Sequence, residues 1–481
     1  MTATEVSSSQ QSLRAVFEGR LLTEDSDTAP FLTDWRGRYH GKALAVALPD
    51  TVDDVQKVVR WCAANQFNIV PQGGNTGLSG GATPDAGGRT VVISLARLKS
   101  IRAVDTVNNT ITADAGCTLL EVKEAAAGHN RLFPLTLPSE GSCTIGGNLS
   151  TNAGGCQVLR YGNARELCLG LEVVTAEGEV WNGLRGLRKD NTGYDLRDLF
   201  VGAEGTLGII TGATLKLYPE PAVQLTAMAA VSSPHQALKL LELAQQHLAA
   251  SLTAFEMIAD ICLEFVERKH PECKRPFSEP SPYYVLLECS DAESQAHATE
   301  RFEGLLSQAL EQEIISDAVV SDSVARSKAL WALRENISEA QAMVGKNIKH
   351  DISVPISSIG DFVEQTNAEL TAAFPGIRMV VFGHLGDGNL HYNVSPAADE
   401  EGPEHEQAFL ARQPQINRVT HDAVARFNGS ISAEHGLGVL RRDESARYKS
   451  AIELNLMAAV KRAIDPAGRM NPGKVLPPEP V

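Results

Sequence analysis

Pro71-Gln72-Gly73-Gly74-Asn75-Thr76-Gly77-Leu78-Ser79-Gly80-Gly81 follows directly on Asn68 to Val70, a short strand candidate, and the reading of this junction decides the fold. Upstream, Leu44 to Leu48 is a second strand candidate. Between the two, Thr51 is placed to cap a helix through its hydroxyl, with Asp53 and Asp54 favourable in the first turn. Val52, Val55, Val59 and Cys62 recur on one face at helical spacing. The sequence therefore predicts a strand–helix–strand unit that ends in a glycine loop. Glycine costs backbone entropy on folding, so a loop this rich in it needs a reason. Backbone amides that cradle a phosphate supply one, and a flat ring lying against bare backbone supplies another.

Two more such tracts lie in the first half of the chain. One runs from Pro138 through Gly141, Thr144-Ile145-Gly146-Gly147-Asn148, Ser150-Thr151-Asn152 and Ala153-Gly154-Gly155; the other is Gly202-Ala203-Glu204-Gly205-Thr206-Leu207-Gly208-Ile209-Ile210. Val91 to Leu95, Thr110 to Ala113 and Leu171 to Thr175 are further strand candidates. None of the loops continues into Gly-Lys-Ser/Thr, and none gives GxGxxG at a strand–helix turn, so neither a Walker A site nor a Rossmann nicotinamide site is supported. Gly77-Leu78-Ser79-Gly80-Gly81 matches the GxSxG pattern of serine hydrolases. Thr83-Pro84 follows where that motif needs a helix, and a nucleophilic Ser79 is not expected.

The chain has 481 residues and a net charge of −16, which argues against binding a phosphate backbone. No apolar run approaches the ~20 residues of a membrane helix. Met1 to Gln11 is polar and serine-rich and reads as a short floppy tail without an export signal. Eight cysteines, from Cys62 to Cys289 and with no CxxC pair, point to reduced thiols and a cytoplasmic protein. A homodimer is a candidate assembly that the sequence leaves open. Tyr218-Pro219-Glu220-Pro221 marks a boundary. Beyond it the pattern changes to long amphipathic helices, such as Pro234 to Ala250, alternating with strands such as Tyr283 to Glu288. The expected division is 1–221, 222–430 and a C-terminal segment 431–481.

The second half carries a concentration of histidine: Gly383-His384-Leu385-Gly386-Asp387-Gly388-Asn389-Leu390-His391-Tyr392-Asn393 and Ala433-Glu434-His435-Gly436-Leu437-Gly438. Arg378 to Phe382 and Leu390 to Val394 read as strands joined by a turn on Asp387-Gly388, a hairpin that brings His384 and His391 together. Two imidazoles and the Glu434 carboxylate suit zinc, although iron or manganese accept the same set. His435 stands beside them and is suited to move a proton. Trp331 to Val344 reads as one helix with Arg334 and Ser338 at i and i+4. Lys349 lies in an apparent strand, Ile348 to Val354. Arg334 can grip a carboxylate bidentately and Lys349 as a point charge.

The three glycine tracts resemble the flavin-binding half of the vanillyl-alcohol oxidase / p-cresol methylhydroxylase superfamily. The closing Arg469-Met470-Asn471-Pro472-Gly473-Lys474-Val475-Leu476 is similar to that family's final segment, and the likeness runs from about Trp35 to Leu476. It implies an α+β fold. A two-part FAD-binding domain is joined to an α+β cap domain that takes substrate and metal, and a C-terminal helical segment returns to the FAD domain. FAD would be held by Pro71, Gly73, Gly74, Asn75, Thr76, Gly77 and Leu78 of the first loop. The second tract would contribute Pro138, Gly141, Thr144, Ile145, Gly146, Gly147, Ser150, Asn152, Ala153 and Gly154. Glu204, Gly208, Ile209 and Asn471 would complete the site. Some members attach FAD through a histidine in the first loop; here Asn75 and no histidine is present, so non-covalent FAD is expected.

Within the superfamily the chain is most similar to FAD-dependent D-2-hydroxyacid dehydrogenases. The two histidine stretches are shared with D-lactate and glycolate enzymes, and therefore fix the chemistry better than the substrate. Trp331-Ala332-Leu333-Arg334-Glu335 and Ile348-Lys349-His350-Asp351-Ile352-Ser353 favour the branch that takes D-2-hydroxyglutarate. That resemblance implies Arg334, Ser338 and Lys349 on the distal carboxylate and Asn393 on the proximal one. It places zinc on His384, His391 and Glu434, and makes His435 the base. With no nicotinamide site, the electron acceptor implied is an electron-transfer flavoprotein or a quinone, with oxygen as a further candidate.

Overall fold

The computed structural model of the chain describes residues 1–477. The chain divides into two compact units, one of residues 1–155, 162–220 and 434–481, the other of 156–161 and 221–433. Among the described residues the strands form sheets of four, five, two and seven members.

In the first unit β1 (Arg20–Leu22), β2 (Ala45–Leu48), β3 (Asn68–Gln72) and β4 (Thr90–Ser94) take the order β1-β2-β4-β3. β4 lies parallel to both neighbours, with Val92 opposite Val46 on one side and Val70 on the other. The helix Val52–Asn65 connects β2 to β3, and Thr51 caps it by accepting the Asp54 amide at 3.2 Å. Its buried face carries Val55, Val58, Val59, Trp61 and Cys62. Leu22, Val46, Leu48, Val70 and Val92 pack as one apolar cluster. The first glycine loop leaves the end of β3, so the sheet fixes where that loop starts. β5 (Ile101–Asp105), β6 (Thr110–Asp114), β8 (Cys168–Thr175), β9 (Val180–Gly183) and β10 (Gly208–Lys216) form the five-stranded antiparallel sheet in the order β5-β6-β10-β8-β9. β7 (Arg131–Leu132) and β11 (Tyr218–Pro219) pair antiparallel. The C-terminal segment returns alongside β3: the Ile69 amide donates to Arg469 O at 2.9 Å and the Asn471 amide to Ile69 O at 2.7 Å.

The second unit is built on β12 (Val223–Val231), β13 (Leu252–Ala259), β14 (Tyr283–Asp291), β15 (Asp317–Val320), β16 (Asp351–Ser353), β17 (Arg378–His384) and β18 (Asn389–Ser395), in the order β15-β12-β14-β13-β17-β18-β16. Its pairings are antiparallel. Helices Pro234–Leu248 and Gln295–Glu311 pack against its strands. All eight cysteines are free thiols, most of them buried.

Three expectations fail. Residues 3–16 are not a floppy tail but a helix, Ala3–Val16, closed by a capping box in which Thr2 and Glu5 satisfy each other's amides. It is fastened by Trp61 Nε1 donating to Ser12 Oγ at 3.0 Å, by Gln10 Nε2 donating to Leu44 O at 2.9 Å, and by the fully buried Leu13. The second glycine tract is not all loop: Ile145–Ser150 forms a short helix. Gly146 lets that helix approach Ala115, where a Cβ would lie 2.7 Å from the alanine methyl. Finally, Trp331 to Val344 is not one helix. It breaks at Asn336 into Val324–Glu335 and Ile337–Val344. The Asn336 amide closes the first helix on Ala332 O, and its carbonyl accepts Ala340 N–H to open the second. Its side-chain amide donates to Cys273 Sγ at 3.5 Å, a long-range contact that holds the break against a distant part of the chain. Arg334 and Ser338 therefore do not share one continuous helical face, and Ser338 is exposed.

Candidate active site

All three glycine tracts wall one cleft in the first unit, and His435 lines the same cleft. The first loop lies on the second at backbone contact. A Cβ on Gly74 would sit 1.9 Å from Ser142 O and one on Gly73 2.3 Å from Thr144 Oγ1, so neither position admits a side chain. Asn75, Asn152, Glu204 and Asn471 adopt φ of 52°, 50°, 51° and 41°. Left-handed backbone at non-glycine residues is costly and gathers at functional sites.

Of the cofactor candidates, Pro71, Gly73, Gly74, Asn75, Thr76 and Gly77 face the cleft from the first loop. Thr144, Gly146, Gly147 and Ser150 face it from the second, and Glu204, Gly208 and Ile209 from the third. Leu78, Pro138, Gly141, Ile145, Asn152, Ala153, Gly154 and Asn471 are not in its lining. Several of these have jobs behind it. Ile145 and Ala153 are buried in packing, and Asn152 Oδ1 accepts the Arg165 amide at 2.9 Å. Asn471 Nδ2 donates to Gly81 O at 2.8 Å and Glu204 O at 2.7 Å, tying the first loop to the third. Thr144 Oγ1, on a residue of the lining, is buried and lacks a hydrogen-bond partner among the described residues, as does Asn471 Oδ1 behind it. Unmet polar atoms beside bare glycine backbone are what a flavin dinucleotide, with its phosphates and ring carbonyls, can satisfy; the residues present fit FAD. Asn148 and Thr151, hydrogen-bonding groups interleaved in the second tract, also line the cleft, and sequence reasoning missed Gln72. Gln72 is a buried polar residue at the end of an apolar strand, and that contrast was the available signal.

The loop bearing His435 is fastened to this unit by two side chains. The buried Glu204 carboxylate accepts the amides of Leu437 at 2.7 Å and Gly438 at 2.8 Å. Burial pushes that carboxyl up, and the two amides pull the other way. Ser79 donates its hydroxyl to the carbonyls of His435 at 3.3 Å and Gly436 at 3.2 Å, while its own carbonyl accepts the Val439 amide at 2.9 Å. Ser79 is thus a tether, as its 3% exposure requires.

In the second unit a polar row crosses one face of an otherwise apolar sheet. Thr226 lies opposite Glu288, Glu256 opposite His384, and His391 opposite Asp351. Glu256 is fully buried on β13. One carboxylate oxygen accepts Arg334 Nε at 2.6 Å and the other meets His384 Nδ1 at 2.5 Å. Burial alone would raise the Glu256 carboxyl, but the charges and hydrogen bonds of His384 and Arg334 more than offset it and hold it at about 2. The Arg334 guanidinium also lies 4.8 Å over the Phe382 ring. Farther along the row, Trp331 Nε1 donates to Glu288 at 3.0 Å, and burial pushes the Glu288 carboxyl up.

The hairpin expected around Asp387 is present, with Leu385 to Gly388 as its turn. It brings the His384 and His391 rings to 5.7 Å, and a nitrogen of one lies within 4.8 Å of a nitrogen of the other. Both are donors that a transition metal accepts, so this pair fits a metal centre. Glu434 follows Ala433 in the chain, and the Ala433 amide donates to Asp351 O at 3.2 Å, on the strand that pairs with His391. Asn393 is buried and donates Nδ2 to Gln341 Oε1 at 3.0 Å. Lys349 is half-buried just ahead of β16. Glu256, absent from the sequence reading, is the residue that joins Arg334 to His384.

Residues 220–475 match the family of FAD linked oxidases, C-terminal domain, and residues 43–183 match an FAD binding domain. The chain is 40% identical over 478 residues to D-2-hydroxyglutarate dehydrogenase of Xanthomonas citri pv. viticola, covering 99% of this chain and 97% of that protein. It is 36% identical to the mitochondrial D-2-hydroxyglutarate dehydrogenase of Danio rerio, covering 96% of this chain and 84% of that protein. Among solved structures, p-cresol methylhydroxylase with substrate bound superposes at a TM-score of 0.75 with 16% identity, over 99% of this chain and 98% of the other. That last likeness establishes the fold.

Glu204→Gln tests the tether. A glutamine offers one oxygen to two amides, so one of them must face an NH2 group. Hydrogen exchange at Leu437 and Gly438 is expected to speed up by roughly 5- to 30-fold, the equivalent of about 1–2 kcal/mol, while exchange in β2 to β4 is unchanged. Unaltered exchange at both amides would show that the carboxylate does not hold the loop.

Proposed function

The chain belongs to the FAD-linked oxidases as an FAD-dependent dehydrogenase, and on that premise we propose that it oxidises D-2-hydroxyglutarate to 2-oxoglutarate. The observation that carries the substrate assignment is the state of Arg334. Its Nε is committed to Glu256, and no hydrogen bond from Nη1 or Nη2 is found among the described residues. That leaves the end-on pair of donors for the distal carboxylate of a dicarboxylic acid. Lys349 adds a point charge, and Ser338 a hydroxyl donor at the start of the following helix. Asn393 has a second amide hydrogen beyond the one given to Gln341, which serves the carboxylate next to the reacting carbon.

FAD held by the glycine loops would supply the hydride acceptor, and His384, His391 and Glu434 would hold a zinc ion that supplies a Lewis acid, a set iron or manganese would also suit. His435 takes the hydroxyl proton. Its support is its place in the cleft of the glycine loops, held there through its own carbonyl by Ser79. Electrons leave to an electron-transfer flavoprotein or a quinone, in keeping with the lack of a nicotinamide fingerprint in the sequence.

Alanine at Arg334 would strand the buried Glu256 charge, so lysine is the cleaner replacement: it keeps a cation beside Glu256 and removes the fork. Arg334→Lys is expected to lower kcat/KM for D-2-hydroxyglutarate by roughly 10- to 100-fold, the loss of charge-assisted bonds worth about 1.5–3 kcal/mol, and to leave D-lactate within a few-fold. Equal losses on the two acids would remove the distal-carboxylate role and favour a lactate or glycolate enzyme. His435→Ala is expected to retain flavin colour and metal content and to lose roughly 10²- to 10⁴-fold in kcat at neutral pH. Near-normal turnover in that variant would remove His435 as the base.

A further inference from the structure

Glu256 holds two groups that face different ends of the proposed substrate. It is fully buried on β13, directly opposite His384 of β17 in the sheet register. Its Oε1 meets His384 Nδ1 at 2.5 Å and its Oε2 accepts Arg334 Nε at 2.6 Å. An ionised carboxylate only accepts hydrogen bonds, so it holds a proton on His384 Nδ1, and in the neutral imidazole that makes Nε2 the nitrogen with ligand character. The same carboxylate fixes which edge of the Arg334 guanidinium is used up. With Nε engaged and the plane stacked on Phe382, the Nη1/Nη2 edge is the one left to a substrate. The next strand along contributes no second acid to these groups: Glu256 pairs with Leu286 there, and Glu288 is taken by Trp331, Thr226 and Thr253.

We propose that Glu256 is the positioning residue of this active site, setting the ligand tautomer of His384 and the presented edge of Arg334 with one carboxylate. Resting on the zinc and dicarboxylate reading above, it couples metal binding to recognition of the distal carboxylate. Removing one of its two acceptor oxygens disturbs one or the other, although the carboxylate touches neither substrate nor metal. A carboxylate behind a metal-binding imidazole raises the basicity of the ligand and holds its ring, and removing such a partner typically costs 10–100-fold in metal affinity.

Glu256→Gln is nearly isosteric and makes the test specific. The amide can point its oxygen at only one of the two donors. If the oxygen faces Arg334, the NH2 faces His384 Nδ1, the imidazole proton moves to Nε2, and zinc affinity measured by chelator competition falls roughly 10–100-fold. If the oxygen faces His384, the NH2 opposes Arg334 Nε–H, zinc affinity holds, and KM for D-2-hydroxyglutarate rises at least about 10-fold while that for D-lactate stays within a few-fold. Either result supports the proposal. Wild-type zinc affinity together with wild-type KM for the dicarboxylate would overturn it. His384→Ala, measured alongside, separates the proposal from its premise: if that variant binds zinc as the wild type does, the ligand set itself is wrong. Should Glu256→Gln fail to fold, ¹⁵N spectra of the wild-type zinc-free protein decide the matter. They are expected to show His384 as the Nδ1–H tautomer, and an Nε2–H tautomer would overturn the proposal.

Discussion

A carboxylate with no solvent exposure in the middle of a seven-stranded sheet is tolerable only if it is paired and hydrogen-bonded on both oxygens. Glu256 sets that condition for the second unit. It requires a cation from the helix Val324–Glu335 and an imidazole from β17, and both arrive at hydrogen-bonding distance. The rest of that face follows from the same demand. Each acid in the polar row has a named partner, Trp331 for Glu288 and Asn389 for Asp351, so the row stays satisfied within an apolar sheet.

The first unit solves a different problem with the same means. Its cleft is made by omission, through glycines whose absent side chains let one loop lie on another. Bare backbone gives room and amides but no fixed reactive group. On the proposed reading that group is His435 of the C-terminal segment, which Glu204 and Ser79 hold by its backbone. The clamp acts on the backbone of the His435 loop rather than on its ring. Asn471 adds a further stitch between the first and third loops, in a left-handed conformation that only a surrounding network can maintain.

Much of this was legible in the sequence, for reasons that are local. Strands such as Val91 to Leu95 announce themselves by short apolar runs, the helix after Thr51 by its cap and period, and the His384–His391 hairpin by Asp387-Gly388. What escaped depended on weaker local signs or on distant partners. The helix Ala3–Val16 was hidden by its serine-rich composition, although Thr2-x-x-Glu5 is a capping box in plain view. The break at Asn336 is one residue in a long periodic run. Glu256 is a lone acid in Leu252–Ala259, and its partners lie 78 and 128 residues away, so spacing could not find them. A single charged residue inside a buried strand is itself a signal that a counter-charge must come from elsewhere. Ser79 shows the reverse case: a hydrolase-like pattern whose hydroxyl is spent on two backbone carbonyls.

The central claim is that this chain's flavin takes a hydride from a D-2-hydroxy dicarboxylic acid. Anaerobic mixing of the oxidised, zinc-supplemented protein with single substrates, followed by flavin absorbance, tests it without any assumption about the electron acceptor. Bleaching by D-2-hydroxyglutarate is predicted to be at least about 100-fold more efficient than by D-lactate, the discrimination a fork built for a second carboxylate supplies. Bleaching that is equally efficient with D-lactate, or no bleaching by D-2-hydroxyglutarate in protein that carries its flavin, would contradict it.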